Sequence, residues 1–312
     1  MRGSVLIIDK MHEGIIPGLK KLGFSVDYRP EIKRSEILSI LPEYTGLIIR
    51  SKTEADREFL DRAVNLKFIA RAGAGTDKID EEYCREKKVT ILNAPEGNKD
   101  ALAEHAVGML ISLMNHMARS DAQIRNYTWD REGNRGYELH SKSVGIIGYG
   151  NMGSALAKRL SGFSCEVLAY DKYKSGFDDL YAHESSLEQL YEHCDIISLH
   201  VPLTHETRNH YDYNFFNKFK KNIWLLNTAR GNIVPLEDLV RLMEEKRILG
   251  AALDVLENEK LSGMNDREKK TFDRLIKLEN VLLTPHVGGW TFESYRKINE
   301  VLLDKIGKLN II

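Results

Sequence analysis

The chain is poor in cysteine, shows no excess of charge of either sign and contains no long apolar run, and each absence excludes a class of protein. Its three cysteines, Cys84, Cys165 and Cys194, are an odd number without C-x-x-C spacing. That suits reduced thiols in a cytosol rather than a disulfide framework, and each reads as a small core residue rather than a nucleophile. Charged residues make up 29% of the chain yet nearly cancel, with a formal net charge of −1, so there is no electrostatic footprint for nucleic acid or an anionic membrane. No stretch approaches the ~18 apolar residues of a membrane span. The opening MRGSVLIIDKMHEG enters a strand-like run of only four apolar residues. A cytoplasmic protein with no metal, no nucleic acid and no membrane partner is expected. The length of 312 residues exceeds the size, about 250 to 300, at which one core usually stops growing, so two domains are expected.

What the chain does contain is one complete nucleotide-binding unit between Ser143 and Asp171. Val144 to Ile147 reads as a buried strand, and Gly148, Gly150 and Gly153 follow at G-x-G-x-x-G spacing. Such glycines allow a tight turn, close approach of backbone to a pyrophosphate, and close packing of the next helix, whose N-terminus favours the anion. Val167 to Tyr170 supplies a second strand ending in Asp171, 18 residues after Gly153. There a carboxylate can accept hydrogen bonds from the adenosine ribose and repel a 2′-phosphate, which favours NAD over NADP. Lys172 and Lys174 stand close behind it and oppose that preference.

Ahead of this unit, short apolar runs alternate with helical patterns. Val5 to Ile8, Val26 to Tyr28, Leu47 to Ile49, Phe68 to Ala70 and Val89 to Leu92 read as strands. Ile15 to Leu22, Ile32 to Leu41, Phe59 to Val64 and Glu81 to Glu86 read as the helices between them. This alternation implies a parallel sheet with right-handed crossovers. Ligands of such sheets lie beyond the carboxyl ends of the strands, which singles out Arg50-Ser51-Lys52 and the run Arg71-Ala72-Gly73-Ala74-Gly75, whose backbone N–H groups can hold a small anion. From Asp100 as N-cap a single long helix is expected through Arg125, apolar on most faces and packed against a twin subunit. Its His105 and His116 read as structural. Later strands end at His200-Val201-Pro202, Asn227-Thr228-Ala229-Arg230, Asp254 and Thr284-Pro285-His286, each with a polar residue on the cofactor edge.

RAGAGTDKID at Arg71, the glycine turn at Gly148, NTARG at Asn227, GAALDVLENE at Gly250 and TPHVGG at Thr284 together resemble the D-isomer-specific 2-hydroxyacid dehydrogenase family over nearly the whole chain. Within it, IIRSK at Ile48 and the segment Trp129-Asp130-Arg131 with Glu138-Leu139 are most similar to D-3-phosphoglycerate dehydrogenases. The resemblance implies an α/β fold of two doubly wound parallel-sheet domains. One is a flavodoxin-like substrate domain, residues 1–97 and 290–312, and the other a Rossmann NAD domain, residues 98–289, through which a homodimer forms. It implies NAD contacts from Ala74, Gly148, Gly150, Asn151, Met152, Gly153, Asp171, Val201, Pro202, Thr207, Thr228, Ala229, Asp254, Gly288 and Gly289. Substrate contacts would come from Arg50, Ser51, Arg71, Gly73, Arg230 and His286.

The chemistry asks for these residue types. Oxidising a 2-hydroxy acid needs a base for the hydroxyl proton, and a histidine titrating near 6.5 can take and return it at neutral pH. His286 is that base by resemblance, Glu259 the acid that orients it and stabilises its imidazolium, and Arg230 the planar fork that binds the substrate carboxylate. Asp254 would hold the nicotinamide side. Lys260 replaces the family's usual proline, and Gly289-Trp290 its usual small residues. The tryptophan either narrows the substrate pocket or packs between domains. The chain ends soon after the last helix, so no serine-regulated domain is expected. Arg50, Lys52, Arg71 and Arg131 from a neighbouring subunit are the cations available for a phosphate. The expected substrate is therefore 3-phosphoglycerate, oxidised in serine biosynthesis. Hydroxypyruvate or glyoxylate reduction, or an NAD-sensing interaction protein on the same fold, are the alternatives.

Overall fold

A computed structural model describes residues 2–310 of the chain, which divide into two compact units. The first comprises the segments up to Asp100 and from Trp290 onward, the second Ala101–Gly289.

Five short strands, β1 (Ser4–Ile7), β2 (Ser25–Tyr28), β3 (Gly46–Ile49), β4 (Phe68–Arg71) and β5 (Thr90–Asn93), form the first sheet. It is parallel throughout, in the order β2-β1-β3-β4-β5, the flavodoxin-like doubly wound arrangement. Central β3 is buried along its whole length because helices cover both faces. One face carries Phe59, Leu60 and Ile37, the other Leu19, Ile298, Leu302 and Ile306. The last three come from the final helix, Phe292–Gly307, capped by Thr291 and Ser294.

The second sheet contains β6 (Ser143–Ile147), β7 (Glu166–Tyr170), β8 (His183–Glu184), β9 (Ile196–Leu199), β10 (Ile223–Asn227), β11 (Ile248–Leu253) and β12 (Val281–Leu283). Its order β12-β11-β10-β9-β6-β7-β8 places the first strand inside the sheet and reverses winding there, the Rossmann pattern with one strand added. Register aligns the strand ends: Tyr170 pairs with Ile147, Ile147 with Leu199, Leu199 with Asn227, Asn227 with Leu253, and Leu253 with Leu283. The residues that follow, Gly148, Asp171, His200, Thr228, Asp254 and Thr284, therefore stand along one edge.

The long helix departs from the sequence reading. It begins at Pro95 and ends at Met114, and a separate helix covers Met117–Arg125. Proline is favoured in a first turn because its missing N–H has no helical partner there, so Asp100 lies inside the helix instead of capping it. His116 adopts a left-handed conformation at φ 52°, which halts the first helix after the apolar run and turns the chain before the polar MARSDAQIR stretch. The two-residue β8 lacked an apolar run by which to be recognised. No described helix is long and apolar enough to cross a membrane, and no metal-ligating cluster occurs among the described residues.

Candidate active site

The glycine turn is built around one left-handed residue and two close approaches. Gly148 has φ 97°; a Cβ there would stand 2.6 Å from the His200 carbonyl oxygen, and one at Gly153 would strike the Gly148 carbonyl. At Gly150 a Cβ would meet nothing within 4 Å, so the space at the head of the helix Asn151–Leu160 is open. Met152 lies in that helix's first turn, where free N–H groups attract a pyrophosphate.

Asp171 closes this turn from the next strand. Its carboxylate accepts hydrogen bonds from the backbone N–H of Tyr149 at 2.8 Å, Tyr173 at 2.9 Å and Lys174 at 3.1 Å. The two lysines that complicated the sequence reading are engaged elsewhere. Lys172 pairs with Glu206 at 2.7 Å, and the Lys174 ammonium donates to the Tyr149 carbonyl at 3.1 Å. Tyr149 itself, not anticipated from sequence, stacks on Phe177 and donates to Asp179, tying the following loop to the turn. The neighbouring strand end is held by local bonds: the Thr207 hydroxyl donates to the Pro202 carbonyl at 2.7 Å, while the Val201 side chain lies against Gly148. At β10 the Thr228 hydroxyl is buried with no hydrogen-bond partner. An open glycine cradle, a buried unpartnered hydroxyl on the same edge and a strand-end carboxylate fit a dinucleotide.

The catalytic candidates occupy the other end of this edge. Asn227 accepts from the Ala229 N–H at 3.0 Å and donates to the Arg230 carbonyl at 3.0 Å, so the turn carrying Arg230 is shaped by a neutral side chain. The Arg230 guanidinium donates to the Ala229 carbonyl at 2.6 Å, and the residue has a further partner. His286 Nδ1 lies 2.8 Å from Glu259 Oε1, with both side chains nearly half exposed. The acid–histidine pair expected from the motifs is thus assembled, and Lys260 in place of proline does not displace it. With Nδ1 directed at the acid, Nε2 is the nitrogen left to exchange a proton with a substrate hydroxyl.

Asp254 holds the loop that carries His286. Its buried carboxylate accepts from the Thr284 hydroxyl at 2.6 Å, the Val287 N–H at 2.9 Å and the Gly288 N–H at 2.8 Å. His105 Nε2 lies 3.5 Å from it and 3.1 Å from Thr284 Oγ1. Burial opposes ionisation of Asp254, but the bonds from His105, Thr284, Gly288 and Val287 outweigh it and hold its carboxyl below the usual carboxylate range. A Cβ at Gly288 would come within 2.9 Å of that carboxylate. His286 itself sits at φ 55°, a strained conformation that such bonding sustains. His105 and Thr284 were not among the site candidates, although Thr284 opened a motif already singled out. Gly289 follows with a contact of its own.

In the first unit, Asp9 accepts from the Arg50 N–H at 2.6 Å, and the Arg50 guanidinium lies over the rings of Trp290, 4.1 Å from its centroid, and Tyr295, at 5.4 Å. Ser51 accepts from Lys78 through its carbonyl. Lys52 is drawn away, donating to the Pro30 and Ile32 carbonyls. Gly73 is left-handed at φ 146° and bonded through its N–H to the Arg71 carbonyl. Arg71 has a partner within the structure, and the Ala74 carbonyl accepts from Asn93 at 2.6 Å. Arg131 lies exposed between the helix Met117–Arg125 and β6.

A flavodoxin-like unit and a Rossmann unit in one chain, with an acid–histidine pair and an arginine that follow the Rossmann strands, define a dinucleotide-dependent oxidoreductase. Residues 107–288 match the D-isomer specific 2-hydroxyacid dehydrogenase, NAD binding domain, and the chain belongs to that family of NAD-dependent oxidoreductases. It is 35% identical over 277 residues to hydroxypyruvate reductase of Thermotoga maritima, covering 89% of this chain and 88% of that one. It is 32% identical over 305 residues to D-3-phosphoglycerate dehydrogenase of Archaeoglobus fulgidus, covering 97% of this chain but 56% of that protein. The chain thus spans little more than half the length of the phosphoglycerate dehydrogenases it matches. Among solved structures, D-lactate dehydrogenase of Aquifex aeolicus complexed with NAD and lactic acid superimposes with a TM-score of 0.82 at 25% identity, covering 97% of this chain and 94% of that one.

Proposed function

We propose that the chain oxidises and reduces a phosphorylated D-2-hydroxy acid, 3-phosphoglycerate, with NAD, and serves serine biosynthesis in the cytoplasm. The observation that carries the phosphate is Arg50: its side chain is partly buried and no carboxylate lies within ion-pair distance of its guanidinium among the described residues. A cation held so, with its edge donors available, matches a dianionic group. In this reading Arg230 binds the substrate carboxylate, His286 takes the hydroxyl proton at Nε2, and Glu259 stabilises the resulting imidazolium. Bound NAD supplies the hydride acceptor. Asp171, Thr228, Ala229 and the turn from Gly148 to Gly153 hold the cofactor; Arg71 and Gly73 assist Arg50. The test is steady-state kinetics with 3-phosphoglycerate and glycerate. A higher kcat/KM for the phosphorylated acid supports the reading, and equal values remove the phosphate from it.

Hydroxypyruvate reduction is the second reading, favoured by the Thermotoga relative that matches along most of its length. It predicts turnover of hydroxypyruvate with NADH at least as good as that of the phosphorylated keto acid. For assembly, the region after the long helix exposes Met117, Ile124, Tyr127, Trp129 and Tyr137. So many exposed large apolar groups in one stretch suit a self-associating surface, and we infer a homodimer through the second unit. Light scattering of Trp129→Glu against the unmodified protein tests this: a monomeric variant supports it, and an unmodified protein that is itself monomeric refutes it.

A further inference from the structure

Trp290, which the sequence left between two roles, packs on Arg50 inside the first unit. It opens the segment Trp290-Thr291 that leads into the helix Phe292–Gly307, and its ring meets Tyr295, one turn into that helix, edge to face at 5.1 Å. Arg50 lies over both rings. Tyr295 is braced in turn by an edge contact to His12, and the main chain of Arg50 is fixed by Asp9. Among the described residues the guanidinium itself makes one hydrogen bond, a long one of 3.4 Å to the Lys10 carbonyl.

We propose that Trp290 and Tyr295 clamp the face of the Arg50 guanidinium so that its edge receives the anionic substituent of the substrate, making Trp290 a positioning residue for selectivity between doubly and singly charged hydroxy acids. The inference rests on the reading of Arg50 given above. The physical reason is a division of surfaces. A guanidinium over an aromatic face uses its flat side in the cation–π contact, and its in-plane N–H fork stays available for bidentate contact. Without the ring, a long side chain must be ordered by the anion alone, and binding bears that entropy loss. Burial lowers the Arg50 pKa from its ordinary value, but an arginine stays charged at neutral pH, so the clamp orients the cation without discharging it. A tryptophan that is 48% exposed contributes little core, so its removal leaves the fold in place.

The experiment measures kcat and KM for 3-phosphoglycerate, glycerate, hydroxypyruvate and NAD(H) with the unmodified protein, Trp290→Ala, Trp290→Phe, Arg50→Ala and the Arg50→Ala/Trp290→Ala double variant. Melting temperatures are recorded for each. Trp290→Ala should raise KM for 3-phosphoglycerate roughly tenfold and that for glycerate little. kcat, the cofactor KM and the melting temperature should stay near their original values, and Trp290→Phe should recover most of the loss. The double variant should be no worse than Arg50→Ala, because the tryptophan acts only through the arginine. Additive losses, an unchanged KM in Trp290→Ala, or a loss confined to kcat would overturn the clamp. Failure of the phosphate reading appears separately, as equal use of glycerate and 3-phosphoglycerate by the unmodified protein.

Discussion

Replacing Asp171 by asparagine should relax the choice between NAD and NADP. In the structure the carboxylate accepts three backbone N–H groups and no lysine neutralises it, since Lys172 is paired with Glu206 and Lys174 with a carbonyl. A ribose 2′-phosphate would place nearly two negative charges within about 4 Å of it. At that distance each unit charge costs from about 1 kcal/mol in water to about 4 kcal/mol at a partly shielded surface. Taking the lower part of that range for a half-exposed site, discrimination against NADP comes to about 2–4 kcal/mol, or roughly 30- to 1000-fold in kcat/KM. Asparagine removes the charge while its side-chain oxygen keeps the turn with Tyr173 and Lys174, giving up only the bond to Tyr149. The ratio of kcat/KM values for NAD and NADP should therefore fall at least ~10-fold, chiefly through improved use of NADP, with thermal melting as a check on folding. Equal specificity constants for the two cofactors in the unmodified protein, or an unchanged ratio in the variant, would refute the reasoning.

Three further outcomes follow from the same edge. His286→Ala should lower turnover by ~10² to 10⁴ while NAD binding measured by calorimetry stays nearly intact; near-normal turnover would remove His286 from proton transfer. Gly148→Ala places a side chain at φ 97° beside the His200 carbonyl, so it should destabilise by about 1–3 kcal/mol and weaken NAD binding, as read by urea unfolding and titration; an unchanged midpoint would contradict the tight approach. Burial pushes the His200 imidazole, bonded to Ser198 at 2.7 Å, down to about 4. The unfolded chain takes up that proton near pH 6.5 and the folded one does not, so this contribution is complete above pH 6.5 and is lost as pH falls toward 4, by at most about 2 kcal/mol at pH 5. His200→Gln should flatten the pH dependence of urea stability by that amount, and parallel curves would show that the ring is not desolvated.

The elements legible in the sequence are those with one strong local cause. β12 and the helix Glu81–Glu86 stand where their local patterns put them, and Gly148 and Asp171 follow the strand ends that the glycine spacing marked, whereas Glu259 and His286 were singled out by the family motifs and not by any local periodicity. The break at His116 was hidden because MLISLMNHMARS holds no glycine or proline to mark it, only a histidine forced left-handed. Nothing local marked the diversion of Lys52 to the Pro30 and Ile32 carbonyls, the alliance of His105 with Thr284 and Asp254, or the seat of Trp290 on Arg50. Each of these joins residues far apart in the chain or depends on which of several surfaces a long side chain chooses, and neither is written in a periodicity.

The buried carboxylate of Asp254 also bears on how such a protein can diverge. It anchors Thr284, Val287 and Gly288 by bonds that involve no part of a substrate, as Asn227 does for the turn of Arg230. The loop that carries His286 is thereby held by bonds of the protein's own. On the roles proposed above, substitutions around Arg50 and Trp290 retune which acid is accepted and leave the loop of His286 unaltered. On that division of labour, a library randomised at Arg50, Trp290 and Tyr295 is the economical route from one substrate to another.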